Sequence, residues 1–348
     1  MDDHRVFPKP NISLLVAVRN ESDHIEDCIA SLIDQSYPAS NLEVIILDGE
    51  SDDNSVEIIK KLIENQSNFS LVTNHKRIQS AAWNLGLDIC HGEIISIVSG
   101  HVIPASDYVS KAVETMQRTN ADMVGGTVRS ISSGKVGEAI AFAMSSPFGV
   151  GGARFRYTEK EEETDSVFMG FCRREIYEKI GKFDEELVRN QDDEFSYRLR
   201  KAGGKIICNP QIKSYYYSRS SYRSLWKQYF QYGFYKVRVL QKHPKQMSLR
   251  QFVPPLFVFA LVVSVILSFL VSWGWVLLVA ILCAYVLANL SASLITAQKH
   301  GWKHFFRLPL AFATLHLSYG LGFLLGLLKF WNRWGDKVGK TPRLKLGN

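Results

Sequence analysis

Three acidic side chains in a row, Asp192-Asp193-Glu194, stand where a helix is expected to begin. A carboxylate in such a place could take the proton of an attacking hydroxyl, although negative charge is favoured at any helix start by the macrodipole. A second acidic group follows LEVIILD (42–48): Asp48 closes that apolar run, and Asp52 and Asp53 come next in a polar turn. A carboxylate at a strand end can accept bonds from a base imide or a ribose hydroxyl, yet Asp and Ser are also ordinary turn formers. A third group is Ser99-Gly100-His101, just past the apolar, β-branched EIISIV (93–98). Ligands of open α/β sheets bind beyond the carboxyl ends of strands, so these residues are candidate ligand contacts.

Alternating elements must hold these groups. ISLLVAV (12–18) reads as a strand, Arg19-Asn20-Glu21-Ser22 as a polar break, and HIEDCIASLIDQ as a helix by its apolar spacing. LEVIILD is the next strand, with Ser55 as candidate cap of the helix VEIIKKLIENQ. FSLVTN, a helix near SAAWNLGLDIC, and EIISIV complete an alternation that predicts a parallel sheet covered by helices. A dinucleotide-binding oxidoreductase would need a glycine-rich turn after the first strand. The turn here is VRNES, while VGG at 124–126 and GGARF at 151–155 come far too late.

The chain of 348 residues is long enough for about two domains. Gln251 to Gln298 contains no Asp, Glu, Lys or Arg. A membrane-crossing helix needs about 20 apolar residues, so the run can supply two, with Ser272-Trp273-Gly274 as the turn. A further uncharged run, Leu308 to Leu328, follows QKHGWKHFFR; its Pro309, Gly320, Gly322 and Gly326 would permit a broken or re-entrant helix. The net charge of +7 gathers beside these runs, in KVRVLQKHPKQMSLR and KFWNRWGDKVGKTPRLK. Basic residues in that position mark a cytoplasmic face and anionic lipid rather than nucleic acid. MDDHRVFPKP lacks the apolar core of a signal peptide. The five cysteines show no CxxC spacing and read as free thiols of a reducing compartment. His316 is the one ionisable residue expected inside the runs, which argues against a membrane carrier.

Taken in order, VAVRNES, IILDGESDDNS, SAAWNLGLDICHGEII, Ser99-Gly100-His101, VFMGFCRREIYEKIGKFDEEL, QDDEFSYRLRKAGGKI and SLWKQYFQYGFYKVRVLQKHP resemble a family 2 glycosyltransferase. The likeness covers roughly residues 12–245 and is nearest to the bacterial succinoglycan-type enzymes. It implies the GT-A nucleotide-diphospho-sugar transferase fold, α/β with a Rossmann-like mixed sheet, followed by C-terminal membrane helices. It also implies inverting transfer of a sugar from a nucleotide sugar, UDP-linked by expectation, to a polyprenyl-diphosphate-linked acceptor during polysaccharide synthesis. The family's pattern ED-x-E-L-x-x-R, counted back from Arg198, makes Asp192 the catalytic base, with Gln191 where Glu is usual.

Donor contacts carry over to Arg19, Asn20, Glu21, Asp48, Arg77, Gly100 and His101, with Asp48 facing the nucleoside and Arg77 forking onto the diphosphate. Gly170 matches a small residue beside the acceptor, and Gln228 matches the first residue of a QxxRW motif in which Gln231 and Tyr232 replace Arg and Trp. Asn84 fits helix packing instead. The DXD-type metal motif is reduced to Ser99-x-His101, so a divalent metal, Mn²⁺ before Mg²⁺, would be held weakly through His101. The expected plan is a cytoplasmic catalytic domain (1–220), an amphipathic interfacial segment (221–250), membrane or re-entrant helices (251–330) and a basic tail (331–348). The enzyme would lie at the inner membrane, with membrane lipid, a nucleotide sugar and a polyprenyl-linked acceptor as its partners. Direct transfer to polyprenyl phosphate, or a relative that binds nucleotide sugars without catalysis, are the other readings.

Overall fold

The computed structural model describes residues 9–132 and 134–335. Strand β1 (Ile12–Val18) is buried at nearly every position, as a strand covered on both faces must be. It lies parallel to β2 (Leu42–Asp48) and β4 (Ile94–Ser99), and β3 (Phe69–Thr73) extends the parallel half beyond β2. Helices α1 (Ile25–Ile33), α2 (Ser55–Ile63) and α3 (Gln79–Ile89) are the crossovers. Ser99 is the last residue of β4 rather than the first beyond it. Ser55 lies inside α2 and caps nothing; the Asp53 carboxylate accepts from its N–H at 3.0 Å.

The rest of the sheet is built from antiparallel pairs. After β5 (Val102–Pro104) and α4 (Tyr108–Thr119) come β6 (Met123–Ile131), α5 (Gly134–Met144), α6 (Pro147–Val150), β7 (Glu162–Glu163), β8 (Phe168–Arg173), α7 (Arg174–Ile180), α8 (Gln191–Lys201) and β9 (Ile206–Tyr217). β8 pairs antiparallel with β4 and with β6, and β5 and β7 pair antiparallel with β9. The nine-stranded sheet has the order β3-β2-β1-β4-β8-β6-β9-β5, with β7 on β9. The alternation legible in the sequence is therefore only the parallel half of a mixed sheet.

Four more helices follow: α9 (Tyr222–Lys242), α10 (Val253–Leu270), α11 (Gly274–His300) and α12 (Leu308–Lys329). Among the described residues three helices, Leu249–Leu270, Gly274–His300 and Leu308–Lys329, are long and apolar enough to cross a membrane. The first and second keep most of their apolar surface exposed, whereas the third is half buried. α12 is one continuous helix of 22 residues, without a break. Pro309 sits in its first turn, where a missing N–H costs no helical bond. Its glycines serve contact: a Cβ at Gly322 would strike the Phe230 carbonyl of α9, and one at Gly320 would lie 2.5 Å from the Pro254 carbonyl of α10. His316 is held from two sides, by the Tyr285 hydroxyl at 3.0 Å and the Phe148 carbonyl at 2.8 Å.

The chain forms two compact units that interleave in sequence. Of the described residues, one unit comprises those up to Arg129 with Thr158–Glu185 and Phe195–Tyr216; the other comprises those within Ser130–Tyr157, Glu186–Glu194 and from Tyr217 onward. All five cysteines are free, and burial pushes the Cys28 thiol up to about 12. Most of the basic tail expected at 331–348 lies outside the described residues.

Candidate active site

In the sheet unit, the loops after β1 and β2 are stitched together by the acidic turn residues. The Asn20 amide donates to Asp52 at 2.6 Å, and its carbonyl oxygen accepts the Asp52 N–H at 3.0 Å. Asp53 accepts from the Ser22 N–H at 3.0 Å. Burial alone would raise the Asp53 carboxyl, but hydrogen bonds from Ser55 and Ser22 outweigh it and draw the group down to about 2. Asp52 and Asp53 are thus structural. Asp48, at the end of β2, is 5% exposed and accepts the Ser51 hydroxyl at 2.6 Å. Asn20, Glu50 and Arg77 all hold left-handed backbone (φ 54°, 53° and 57°), which is uncommon for residues other than glycine and marks loops fixed by their surroundings.

Arg77 does not stand alone. Its guanidinium pairs with Glu50, its carbonyl accepts from Arg19 Nη1 at 3.3 Å, and Glu50 also meets His75 at 2.7 Å. Hydrogen bonds from His75 and then Arg77 hold the Glu50 carboxyl below its ordinary range. Nothing in the spacing of the sequence pointed to Glu50.

Beyond β4, His101 Nδ1 meets Glu21 Oε1 at 2.8 Å, both side chains being about four-fifths buried, and the Tyr216 ring packs edge-on against the imidazole. The Gly100 N–H bonds the Ala17 carbonyl at 3.2 Å, and a Cβ there would crowd Val18, Glu21 and Ile25. Ser99 Oγ accepts from Gln79 Nε2 at 3.2 Å. A Glu21 carboxylate on Nδ1 orients the ring and leaves Nε2 to a ligand, the usual support of a metal-binding imidazole. Among the described residues no group of three or more His, Cys, Asp or Glu could hold a metal ion. These residues offer a metal one imidazole nitrogen, so any ion here would draw its other ligands from phosphate and water. A cavity of about 380 Å³ lies instead at the amino ends of β1 to β3, lined by residues such as Asn11, Asn41 and Asn68. It is at the opposite ends of the strands from Asp48 and Ser99 and is no part of this chemistry.

Other carried-over residues have structural partners. Gly170 is buried in β8, and a Cβ there would meet Met123 and Val167 within about 3.0 Å, so sheet packing excludes a side chain. Asn84 bonds the Phe183 carbonyl at 2.9 Å and the Phe183 N–H at 3.0 Å, the packing role expected of it. Arg174 is tied to the Gly92 and Cys90 carbonyls at 2.8 and 2.9 Å. Arg198, which set the register of the acidic motif, bonds the carbonyls of Ile180, Gly181 and Lys182 at 2.5, 3.1 and 2.7 Å.

In the helical unit, the three carboxylates at the start of α8 sort by environment. Asp193 is paired with Lys236, which is 3% exposed, and accepts from Gln246 at 3.0 Å. Glu194 is 2% exposed and meets His243 at 2.8 Å. Asp192 alone of the three is exposed, and its Oδ1 accepts the Asp193 N–H at 2.9 Å. Protein atoms are nonetheless dense around its carboxyl. That surrounding protein, and then the charge of Asp193, raise its carboxyl, while Lys236 opposes the rise. Gln191 is buried at 4% exposure, so an amide here avoids an enclosed charge where the motif has Glu.

The basic residues of α9 were expected to face lipid phosphate. Lys236, Arg238 and Lys242 are instead buried, and Arg238 and Lys242 both pair with Glu186, Arg238 at 2.8 Å. Gln231 accepts from Arg189 at 3.0 Å, and the Tyr232 carbonyl accepts from Asn190 at 3.2 Å. Gln228 donates to the Tyr232 hydroxyl at 3.2 Å. The helix thus grips the acidic segment that leads into Asp192, which sequence spacing did not show.

The family model described as Glycosyl transferase family 2 matches residues 13–181. Over 326 residues the chain is 30% identical to the dolichyl N-acetyl-alpha-D-glucosaminyl phosphate 3-beta-D-2,3-diacetamido-2,3-dideoxy-beta-D-glucuronosyltransferase of Methanococcus voltae, covering 91% of this chain and 97% of that one. The chain is a family 2 glycosyltransferase. This glycosyltransferase is also 30% identical, over 92% of its length and 96% of the relative's, to the succinoglycan biosynthesis protein ExoA of Rhizobium meliloti. Among solved structures it is similar to a mannosyltransferase of Pyrobaculum calidifontis in complex with GDP-Man and Mn²⁺, with a TM-score of 0.58 at 17% identity over 91% of this chain and 88% of that one. That likeness bears out the GT-A fold. The three apolar helices make it a membrane-associated enzyme.

Proposed function

We propose that this glycosyltransferase moves a sugar from a nucleotide sugar, UDP-linked, to a hydroxyl of a sugar carried on a polyprenyl phosphate or diphosphate, with inversion, at the cytoplasmic face of the membrane. The observation that carries the reading is the sorting of the α8 carboxylates: Asp193 and Glu194 are committed to Lys236 and His243, and Asp192 is exposed. The acceptor oxygen forms its bond to the anomeric carbon as the bond from that carbon to the diphosphate breaks. The hydroxyl proton passes to Asp192, and the electron pair leaves with the nucleoside diphosphate. A raised carboxyl suits a base, because basicity grows with pKa.

Asp48 receives the nucleoside, Arg19, Asn20 and Glu21 shape that loop, and Arg77 and His101 meet the diphosphate. Glu50 must share or release Arg77 for this, so it is a gatekeeper of donor binding. His101 would contribute one nitrogen to a divalent ion, which when bound neutralises charge on the leaving diphosphate. A sugar hydroxyl is preferred to a bare lipid phosphate as acceptor because the Methanococcus relative is named for a dolichyl-phosphate-linked sugar.

Asp192→Asn should keep folding and donor binding while lowering transfer at least about 100-fold, the low end for general-base loss. The measurement is nucleotide release from a panel of UDP-, GDP- and TDP-sugars with a polyprenyl-linked lipid extract, alongside product linkage by NMR. A near-wild-type rate in the Asn variant would pass the role to another residue, and an axial linkage from an axial donor would remove inversion.

A further inference from the structure

A cavity of about 350 Å³ in the helical unit is lined by Ser130, Ser132, Glu138, His300, Lys303 and His304, with the Phe142 ring as an apolar wall. Three side-chain atoms of these residues, Ser130 Oγ, Ser132 Oγ and His304 Nδ1, are buried without a hydrogen-bond partner. His304 is 1% exposed; its Nε2 lies 3.3 Å from Glu138 Oε2, and Lys303 Nζ lies at the same distance from that oxygen. The Lys135 backbone also lies near the imidazole. Buried polar groups are nearly always paired, and an unpaired one carries its full desolvation cost. Three of them around one cavity mark a place where a polar ligand would relieve that cost.

The position indicates which ligand. His300 ends α11 and Leu308 begins α12, so the cavity lies at the turn between two candidate membrane helices. Trp302 and Phe306 in that turn are 59% and 87% exposed, as side chains of an interfacial aromatic belt are. The turn also carries Lys299, Lys303 and Arg307, against the single carboxylate of Glu138 in the lining. Burial, and then the charge of Lys303, hold the His304 imidazole below its ordinary range, so it and the serine hydroxyls can each donate or accept.

We propose that this cavity binds the headgroup of an anionic phospholipid carrying free hydroxyls, of the phosphatidylglycerol kind. Phosphate oxygens accept from the hydroxyls of Ser130 and Ser132 and from the Lys303 ammonium, and a headgroup hydroxyl donates to Glu138. Excess cationic charge beside a membrane helix favours an anionic headgroup, and the carboxylate favours one that can donate a hydrogen bond over one that cannot.

The test uses the full chain in detergent, with short-chain phosphatidylglycerol, phosphatidylcholine of the same chain length, and inorganic phosphate as probes. Retained lipid is counted by native mass spectrometry, and affinity is taken from the rise in melting temperature with lipid concentration. Phosphatidylglycerol is expected to bind about ten-fold more tightly than phosphatidylcholine, the scale of one hydrogen bond from a headgroup hydroxyl to the Glu138 carboxylate. The double variant Ser130→Ala/Ser132→Ala, which removes two donors to phosphate, should weaken phosphatidylglycerol about ten-fold. Lys303→Met, at a side chain 65% exposed, should weaken phosphatidylglycerol about five-fold, the scale of one cation near the surface, and it carries the test if the double variant fails to fold. Equal binding of the two lipids by the wild type overturns the proposal, as does a phosphatidylglycerol affinity unchanged in both variants. Inorganic phosphate binding as tightly as phosphatidylglycerol would make the site one for the free anion and also overturns it.

Discussion

At the scale of single residues, neighbours give chemically equal carboxylates different surroundings. Asp192, Asp193 and Glu194 are adjacent and chemically alike, yet Lys236 and His243 take two of them. Lys236 also holds down the rise of Asp192, which burial and Asp193 drive upward. Lys236→Met should therefore raise the Asp192 carboxyl further. A base works only when ionised, so activity is lost as pH falls through that pKa. The acid limb of the kcat profile should accordingly move to higher pH in Lys236→Met and return in Lys236→Arg. A limb that stays in place while stability falls would make Lys236 purely structural. At the other end of the reaction, Ser99→Asp should restore a carboxylate beside His101 and tighten Mn²⁺ activation, seen as a lower metal concentration at half-maximal turnover. His101→Ala should weaken the metal response; an unchanged response would leave Ser99-Gly100-His101 as only a loop.

At the scale of elements, α9 and α12 are joined backbone to backbone. Gly233 of α9 fits against the Tyr319 carbonyl, while Gly322 and Gly326 of α12 fit against those of Phe230 and Phe234. Phe234, Phe323 and Phe330 pack into one buried cluster at this contact. A methyl group at Gly322 would force the helices apart. Overpacking of this kind costs about 1–3 kcal/mol, so Gly322→Ala should lower the melting temperature of the detergent-solubilised chain. Gly335, where an added Cβ meets nothing within 4 Å, is the control, and Gly335→Ala should be neutral. Because α9 also holds the segment 186–194, Gly322→Ala should lower kcat as well. A lost melting temperature with unchanged kcat would show that the two contacts of α9 are independent.

At the scale of the whole molecule, the helical unit is assembled from distant parts of the chain. Ser130–Tyr157 and Glu186–Glu194 belong to it together with the described residues from Tyr217 onward. A chain ending near residue 215 would leave the apolar face of α5, with Ile140, Ala143 and Met144, without Leu225, Phe312 and Leu315. It would also strip Glu186 of Arg238 and Lys242. Such a chain should aggregate rather than yield a soluble nucleotide-binding domain, with its peak in the void volume on size exclusion. A monodisperse monomer that binds nucleotide would refute this account of the fold. The sequence alone determined the parallel strands, the three apolar helices and the family, because period, composition and ordered local motifs are properties of contiguous residues. The tertiary structure alone decided the antiparallel half of the sheet, the Glu50 partner of Arg77, the inward turn of Lys236, Arg238 and Lys242, and the use of the α12 glycines. Each of these depends on residues far apart in the chain meeting in space. A basic residue at helical spacing reads the same whether it faces a lipid phosphate or a buried carboxylate, and only the packing of the helix separates the two.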